Sequence, residues 1–243
     1  MRELVAYDTI GYPTDEKFLA FMKGIVEVGA SAIEVGLPPA YAKYDGPVIR
    51  RSYRAVNTRK LEMGSVLKEL RHYVDVPIVV LSYVEEHLAN VKKFLEEIYS
   101  YEVDGVLFPD LLIDFPNKVE EIATITKEVG LKNVIFVTPT VPDSFIVTTS
   151  KLTDLFLYYG MRPTTGVDIP IGIERLVRRI RELVDKKIIV GFGLSDENDI
   201  RLALSAGADG IAIGTTFIQA LETGGVEEAL AKGRKLMGLL NEY

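Results

Sequence analysis

Three observations predict a (β/α)8 barrel. Eight short apolar runs recur along the chain, an amphipathic stretch follows each, and 243 residues match one such unit. The runs are near-continuous in Val, Ile and Leu, as expected of parallel strands covered on both faces. A regular alternation of roughly thirty residues per unit favours a closed barrel over a doubly wound open sheet. No linker, low-complexity segment or composition shift divides the chain, so residues 1–243 are read as a single domain.

The predicted strands are Leu4–Tyr7, Ala32–Val35, Ile78–Ser82, Gly105–Phe108, Val134–Thr138, Leu155–Tyr159, Ile188–Gly191 and Gly210–Ile213. Between them lie helical patterns. In Asp15–Val28, Phe18, Phe21, Met22, Ile25 and Val26 recur at three- and four-residue spacing. Glu85–Tyr101, Pro116–Val129, Ile173–Val184 and Glu197–Ala206 follow the same rule. Thr14-Asp15 and Ser195-Asp196 mark helix starts, and Gly29, Gly130 and Gly207 mark stops. The loops Val137–Ser144 and Tyr159–Gly166 are rich in Pro, Thr and Gly and fall after strands, where barrels build their sites.

Composition narrows the function. A net charge of −7 without a basic block gives no nucleic-acid footprint. No apolar stretch approaches the roughly 18 residues of a membrane span, and no signal peptide is visible. A cytoplasmic protein is expected. Cysteine is absent, which removes disulfides, thiolate metal sites and a cysteine nucleophile. Six Asn and one Gln, beside abundant Glu, Lys and Arg, lean towards a heat-adapted source.

Glu34 ends the second apolar run, and Asp45 follows on the next loop, before Gly46-Pro47. An acid on a buried strand is paired or has a task. The plain alternative is that Glu34 pairs with a buried Lys or Arg while Asp45 shapes a turn. In a barrel, both would face the mouth. A Glu in apolar surroundings can hold a proton near neutrality, and an ionised Asp can stabilise a developing positive charge. Two glycine segments, Val190-Gly-Phe-Gly-Leu-Ser195 and Ala208-Asp-Gly-Ile-Ala-Ile-Gly-Thr-Thr-Phe217, fall at strands seven and eight, the usual phosphate seat of the fold. Gly193, Gly214 and Thr215 are the expected backbone donors, with Gly166 reaching the anion from the side.

Other chemistries lack residues. The two histidines, His72 and His87, fall in helical patterns, so no zinc site is expected. No strand end carries a Schiff-base lysine, and Lys43 and Lys60 read as solvated charge. No G-x-G-x-x-G opens the first unit. Carboxylate acid–base chemistry remains. It can break a carbon–carbon bond if the substrate carries its own electron sink, such as a protonatable heteroaromatic ring.

Over nearly its whole length the chain resembles the α subunit of tryptophan synthase. The carriers are Ile33-Glu-Val-Gly-Leu-Pro38, Tyr44-Asp-Gly-Pro-Val-Ile49, Asp104-Gly-Val-Leu-Phe-Pro-Asp110, Pro139-Thr140, Thr165-Gly166, Val190-Gly-Phe-Gly193 and Ala208-Asp-Gly-Ile-Ala-Ile-Gly214. The interval from Glu34 to Asp45 equals that between the family's catalytic acids. The resemblance implies a TIM-barrel lyase that cleaves indole-3-glycerol phosphate to indole and glyceraldehyde 3-phosphate by a retro-aldol step, within tryptophan biosynthesis. It implies Glu34 as the acid–base residue and Asp45 as the acid on the ring N–H. Tyr7, Ile49, Leu81, Tyr83 and Leu107 fall where the family lines its indole pocket. Phe192, Gly193, Gly214, Thr215 and Gly166 fall on its phosphate site, and Thr165 on its lid loop. No cofactor is implied for the chain itself. Pyridoxal phosphate would belong to a β subunit, which takes up the indole in a lasting α2β2-type or a transient complex.

Three departures stand out. The family usually places a helix before the first strand, and none is expected here, since an apolar run begins at Leu4. Pro38-Pro-Ala-Tyr-Ala42 replaces the family's Pro-Phe-Ser-Asp-Pro on a loop that touches the β subunit. The loop after strand six also differs, and the substrate-side tyrosine there aligns with Leu157 or Tyr158. The rival readings are another phosphate-binding barrel of aromatic amino-acid biosynthesis and a partner-activating subunit with weak activity of its own. The first would call for a catalytic Lys or Cys that is missing.

Overall fold

Eight parallel strands close into a barrel in sequence order, with β1 pairing both β2 and β8. The computed structural model describes residues 2–59, 61–161, 171–194 and 196–243. The order is β1 (Glu3–Thr9), α1 (Asp15–Val28), β2 (Ala32–Gly36), α2 (Pro47–Asn57), α3 (Met63–Tyr73), β3 (Ile78–Leu81), α4 (Val91–Tyr99), β4 (Gly105–Leu107), α5 (Leu111–Asp114) and α6 (Val119–Val129). There follow β5 (Lys132–Val137), α7 (Asp143–Ser150), β6 (Leu157–Gly160), α8 (Ile173–Leu183), β7 (Ile188–Gly191), α9 (Glu197–Ser205), β8 (Gly210–Ile213) and α10 (Thr215–Leu240). The closed barrel of alternating strands and helices is the architecture predicted from the apolar runs.

Alternation along each strand sorts side chains between two cores. On β1 and β2, Leu4, Ala6, Ile33 and Val35 point outwards and pack beneath the helices. Val5, Tyr7 and Ala32 point inwards, where they join Val79, Leu81, Leu107, Val134, Phe136, Tyr158 and Ile189. The interior is therefore a packed core, and a site can form only where it opens, at the C-terminal ends of the strands.

Helix α1 shows how local signals set the outer layer. The Thr14 side chain accepts from Lys17 N–H, and Gly29 closes the C-terminus with its N–H on Ile25 and Val26 carbonyls. Between these caps, Phe18, Phe21, Met22 and Ile25 form the buried face. The segment predicted as one helix over Glu85–Tyr101 is instead a 3-10 turn, Val84–His87, followed by α4. The Asn90 side chain accepts from Lys93 N–H and starts the new helix, a capping signal that the apolar periodicity hid. Similarly, Pro116–Lys118 is a 3-10 turn ahead of α6.

Gly36, the last residue of β2, gives the interior room at the level of the mouth. A Cβ there would stand 2.1 Å from the Tyr7 hydroxyl oxygen. Gly36→Ala should therefore destabilise the fold by about 1–3 kcal/mol through overpacking. Tyr7→Leu in the same chain should recover part of the loss in chemical denaturation. Equal stabilities for Gly36→Ala and the wild type would contradict this packing.

Candidate active site

Glu34 sits on the inner face of β2, opposite Tyr7 on β1 and Val79 on β3. It is 1% exposed, and its Oε1 has no hydrogen-bond partner. Among the described residues no Lys or Arg pairs with it, so the plain ion-pair alternative fails. Burial alone pushes its pKa up to about 8. At neutral pH the group is a protonated carboxylic acid.

Asp45 reaches the same space from the loop between β2 and α2, and is 7% exposed. Its Oδ2 accepts a hydrogen bond from the Tyr83 hydroxyl at 2.7 Å. Burial pushes its pKa up to about 6, with the Tyr83 bond and the Arg50 charge opposing the rise. Two carboxyls thus share one pocket in different protonation states, the arrangement that lets one donate a proton while the other stays anionic.

The pocket has a cavity volume of about 80 Å³ and is lined by both acids with Tyr7, Ile49, Leu81, Tyr158, Phe192, Gly193, Gly214 and Thr215 among others. Tyr83 stands behind Asp45, as its hydrogen-bond donor. Leu107 is fully covered within the interior core. Between the two alignments at strand six, the geometry selects Tyr158: it lines the pocket, whereas Leu157 packs in the outer core. Phe136, Tyr158 and Phe192 form an aromatic wall with ring centroids 5.2–5.9 Å apart. Strand parity carries this distinction, and an alignment that must choose whether to place a gap loses it. Leu194, Ala212, Ile213 and Thr216 also line the pocket and were missed. Thr165 and Gly166 lie outside the described residues.

One end of the pocket is lined by a helix N-terminus and a left-handed turn, geometry that can receive an anion. Helix α10 starts there at Thr215, with Gly214 as an N-cap that makes no side-chain bond to the first turn. Its first N–H groups are therefore available, and the helix dipole adds positive potential. Across from it, after β7, Phe192 and Gly193 have φ of 51° and 113°. Positive φ at a phenylalanine is uncommon and costs energy. Consecutive main-chain N–H groups at such turns form a concave anion seat. An apolar slot with an acid at its side and an anion seat at its end thus matches a flat aromatic ring joined to a phosphate.

The sequence model of the tryptophan synthase alpha chain matches residues 1–241. The chain belongs to that family. The alpha chain of Sulfurisphaera tokodaii is 50% identical, covering 100% of this chain and 99% of that protein. That of Saccharolobus solfataricus is 52% identical, covering 99% and 97%. A mutant α-subunit from the hyperthermophile Pyrococcus furiosus superposes with a TM-score of 0.84 at 28% identity, covering 100% of both chains. The same organism's α subunit in the α2β2 complex gives 0.82 at 27% identity, again covering 100% of both. The amide-poor composition agrees with relatives of this kind. Tryptophan synthase alpha chains cleave indole-3-glycerol phosphate to indole and glyceraldehyde 3-phosphate, a carbon–carbon lyase step of tryptophan biosynthesis, and this is the reaction of the chain.

The protonation of Glu34 has a consequence for stability. The native group keeps its proton up to about pH 8, whereas an unhindered glutamic acid loses it near 4.5. Between these values the native state binds more protons than the unfolded state, so the Glu34 contribution falls as pH rises. The interval permits up to roughly 5 kcal/mol. Glu34→Gln should gain a few kcal/mol on the wild type between pH 4.5 and pH 8 in urea titrations. A constant difference across that range would mean that Glu34 is ionised throughout.

Proposed function

We propose that Glu34 and Asp45 carry the cleavage, with Glu34 as the acid–base residue and Asp45 as the electrostatic anchor of the indole ring. The observation that supports this most is the buried Glu34 carboxyl, without a cation among the described residues and facing the same pocket as Asp45. The protonated Glu34 gives its proton to indole C3, and the ring becomes an indolenine-like cation. Asp45 accepts the ring N–H hydrogen bond and stabilises that charge. The bond between C3 and the side chain then breaks, and its electron pair returns to the ring. The adjacent side-chain hydroxyl becomes the carbonyl of glyceraldehyde 3-phosphate. Its proton passes to the Glu34 carboxylate, which restores the starting acid.

Gly193, Gly214 and Thr215 would hold the phosphate through main-chain N–H groups, Phe192 by setting the turn, and Gly166 from the loop after β6. Tyr7, Ile49, Leu81 and Tyr158 would flank the ring, with Leu107 beneath them and Tyr83 fixing Asp45. Thr165 would belong to a lid over the site, excluding water during the reaction. All of this chemistry falls within one domain, residues 1–243.

The chain requires no cofactor for this step. Pyridoxal phosphate would belong to a β partner that takes up the indole. The α2β2 complex of Pyrococcus furiosus supports such a partner. No helix among the described residues is long and apolar enough to cross a membrane, which suits a cytoplasmic enzyme working on a soluble phosphate ester.

Indole release by the purified protein tests the roles. Glu34→Gln and Asp45→Asn should each lower kcat by about 100- to 10,000-fold with the fold intact. Substantial activity in either variant would remove that residue from the mechanism. In the wild type, kcat/KM should rise as Asp45 ionises near pH 6 and fall as Glu34 loses its proton near pH 8. A profile flat from pH 5 to pH 9 would contradict both assignments.

A further inference from the structure

Asp45 lies on a ten-residue connection between β2 and α2, residues 37–46, that holds no regular structure. Such a segment has wide conformational freedom unless it is tied down. Here it is tied from outside the pocket. Lys43, which the sequence suggested was solvated, is mostly covered, with a side chain 20% exposed. Its ammonium lies 2.7 Å from Glu85, on the turn after β3, and 2.6 Å from Asp114, in α5 after β4. Burial disfavours the charged lysine, but the two carboxylates outweigh it and hold its pKa above the usual range.

Tyr44 repeats the connection. Its hydroxyl donates to Asp114 at 2.6 Å. Its ring stacks on Tyr83 with planes 7° apart, and its N–H donates to the Tyr83 hydroxyl at 2.9 Å. That hydroxyl in turn donates to Asp45. From the other side, the Arg50 guanidinium on α2 donates to the Ala42 and Lys43 carbonyls at 2.9 and 3.2 Å. Three successive βα loops are thereby joined at the barrel mouth, and their junction lies within two residues of Asp45. Neither Lys43 nor Asp114 lines the pocket.

We propose that Lys43, with Asp114 and Glu85 as its counter-ions, is a positioning residue that holds Asp45 in its reactive place before substrate arrives. The inference rests on the role given to Asp45 above. A charge-assisted pair of bonds to two different loops fixes direction as well as distance. Lys43 is partly covered while Glu85 is more than half exposed, so losing the lysine chiefly removes the one cation that links these two carboxylates to the loop. The loop then keeps only the ties through Tyr44 and Arg50, and its ionic link to the β3 and β4 loops is gone. Small misplacement of a group that acts on the transition state lowers turnover steeply. Phosphate affinity, set by the β7 and β8 loops on the other side of the mouth, is untouched.

Steady-state cleavage of indole-3-glycerol phosphate by the wild type, Lys43→Met, Lys43→Arg and Asp114→Asn tests this, together with amide hydrogen exchange of residues 37–46. Lys43→Met should lower kcat at least tenfold with KM changed less than threefold. Lys43→Arg, which keeps the charge, should recover most of the loss. Asp114→Asn should fall between, and joining it to Lys43→Met should cost little more than Lys43→Met alone. Exchange in residues 37–46 should rise at least tenfold in Lys43→Met and stay unchanged in the barrel strands. A kcat within twofold of the wild type, or unchanged exchange in that segment, would overturn the proposal. A wild type that cleaves no substrate would instead defeat the role of Asp45, while the exchange result would still decide whether Lys43 orders the loop.

Discussion

An unpaired carboxyl inside an apolar barrel is the constraint on which the site depends. Glu34 occupies an inward position on β2 that the barrel otherwise fills with hydrocarbon and aromatic rings. Among the described residues it has no cation and its Oε1 no donor, so ionisation there is costly and the proton stays. This is a liability for stability and an asset for chemistry, since the pocket then holds an acid at neutral pH without any metal or imidazole. A buried cation beside Glu34 would have favoured its anion and removed the acid.

The other parts of the site follow from where a barrel can open. Strand ends supply the rigid acid, and loops supply what must be shaped to the ligand. In the proposed reading the late loops would offer an anion main-chain groups, at the left-handed turn of Phe192 and Gly193 and at the first turn of α10. The early loops carry Asp45 and bind one another through Lys43, Tyr44 and Tyr83. Both acids rise in pKa by burial, yet Asp45 rises less because Tyr83 and Arg50 favour its anion. One pocket therefore keeps a proton on one carboxyl and a charge on the other.

Much of this could be read from the sequence, for definite reasons. Strands covered on both faces leave continuous apolar runs, so all eight were visible, with ends displaced by a residue or two. Glu34 was conspicuous because an acid interrupts such a run. The glycine segments of β7 and β8 were visible because glycines at two successive strand ends stand out from apolar runs. What depends on parity or on contacts through space was hidden. Tyr158 could not be separated from Leu157 until the strand showed which side faces inwards. Lys43 looked like any surface lysine, because its two partners lie 42 and 71 residues further along. Tyr83 reads as a pocket residue from its position, but its hydroxyl is spent on Asp45.

The protonation state of Glu34 can be observed directly. An infrared difference spectrum between the wild type and Glu34→Gln isolates the carbonyl stretch of a protonated carboxyl. The structure predicts that this band is present at pH 7 and titrates away near pH 8. A band already lost by about pH 5, near the ordinary range of glutamic acid, would show that the barrel interior does not hold the proton, and the account of the acid would be wrong.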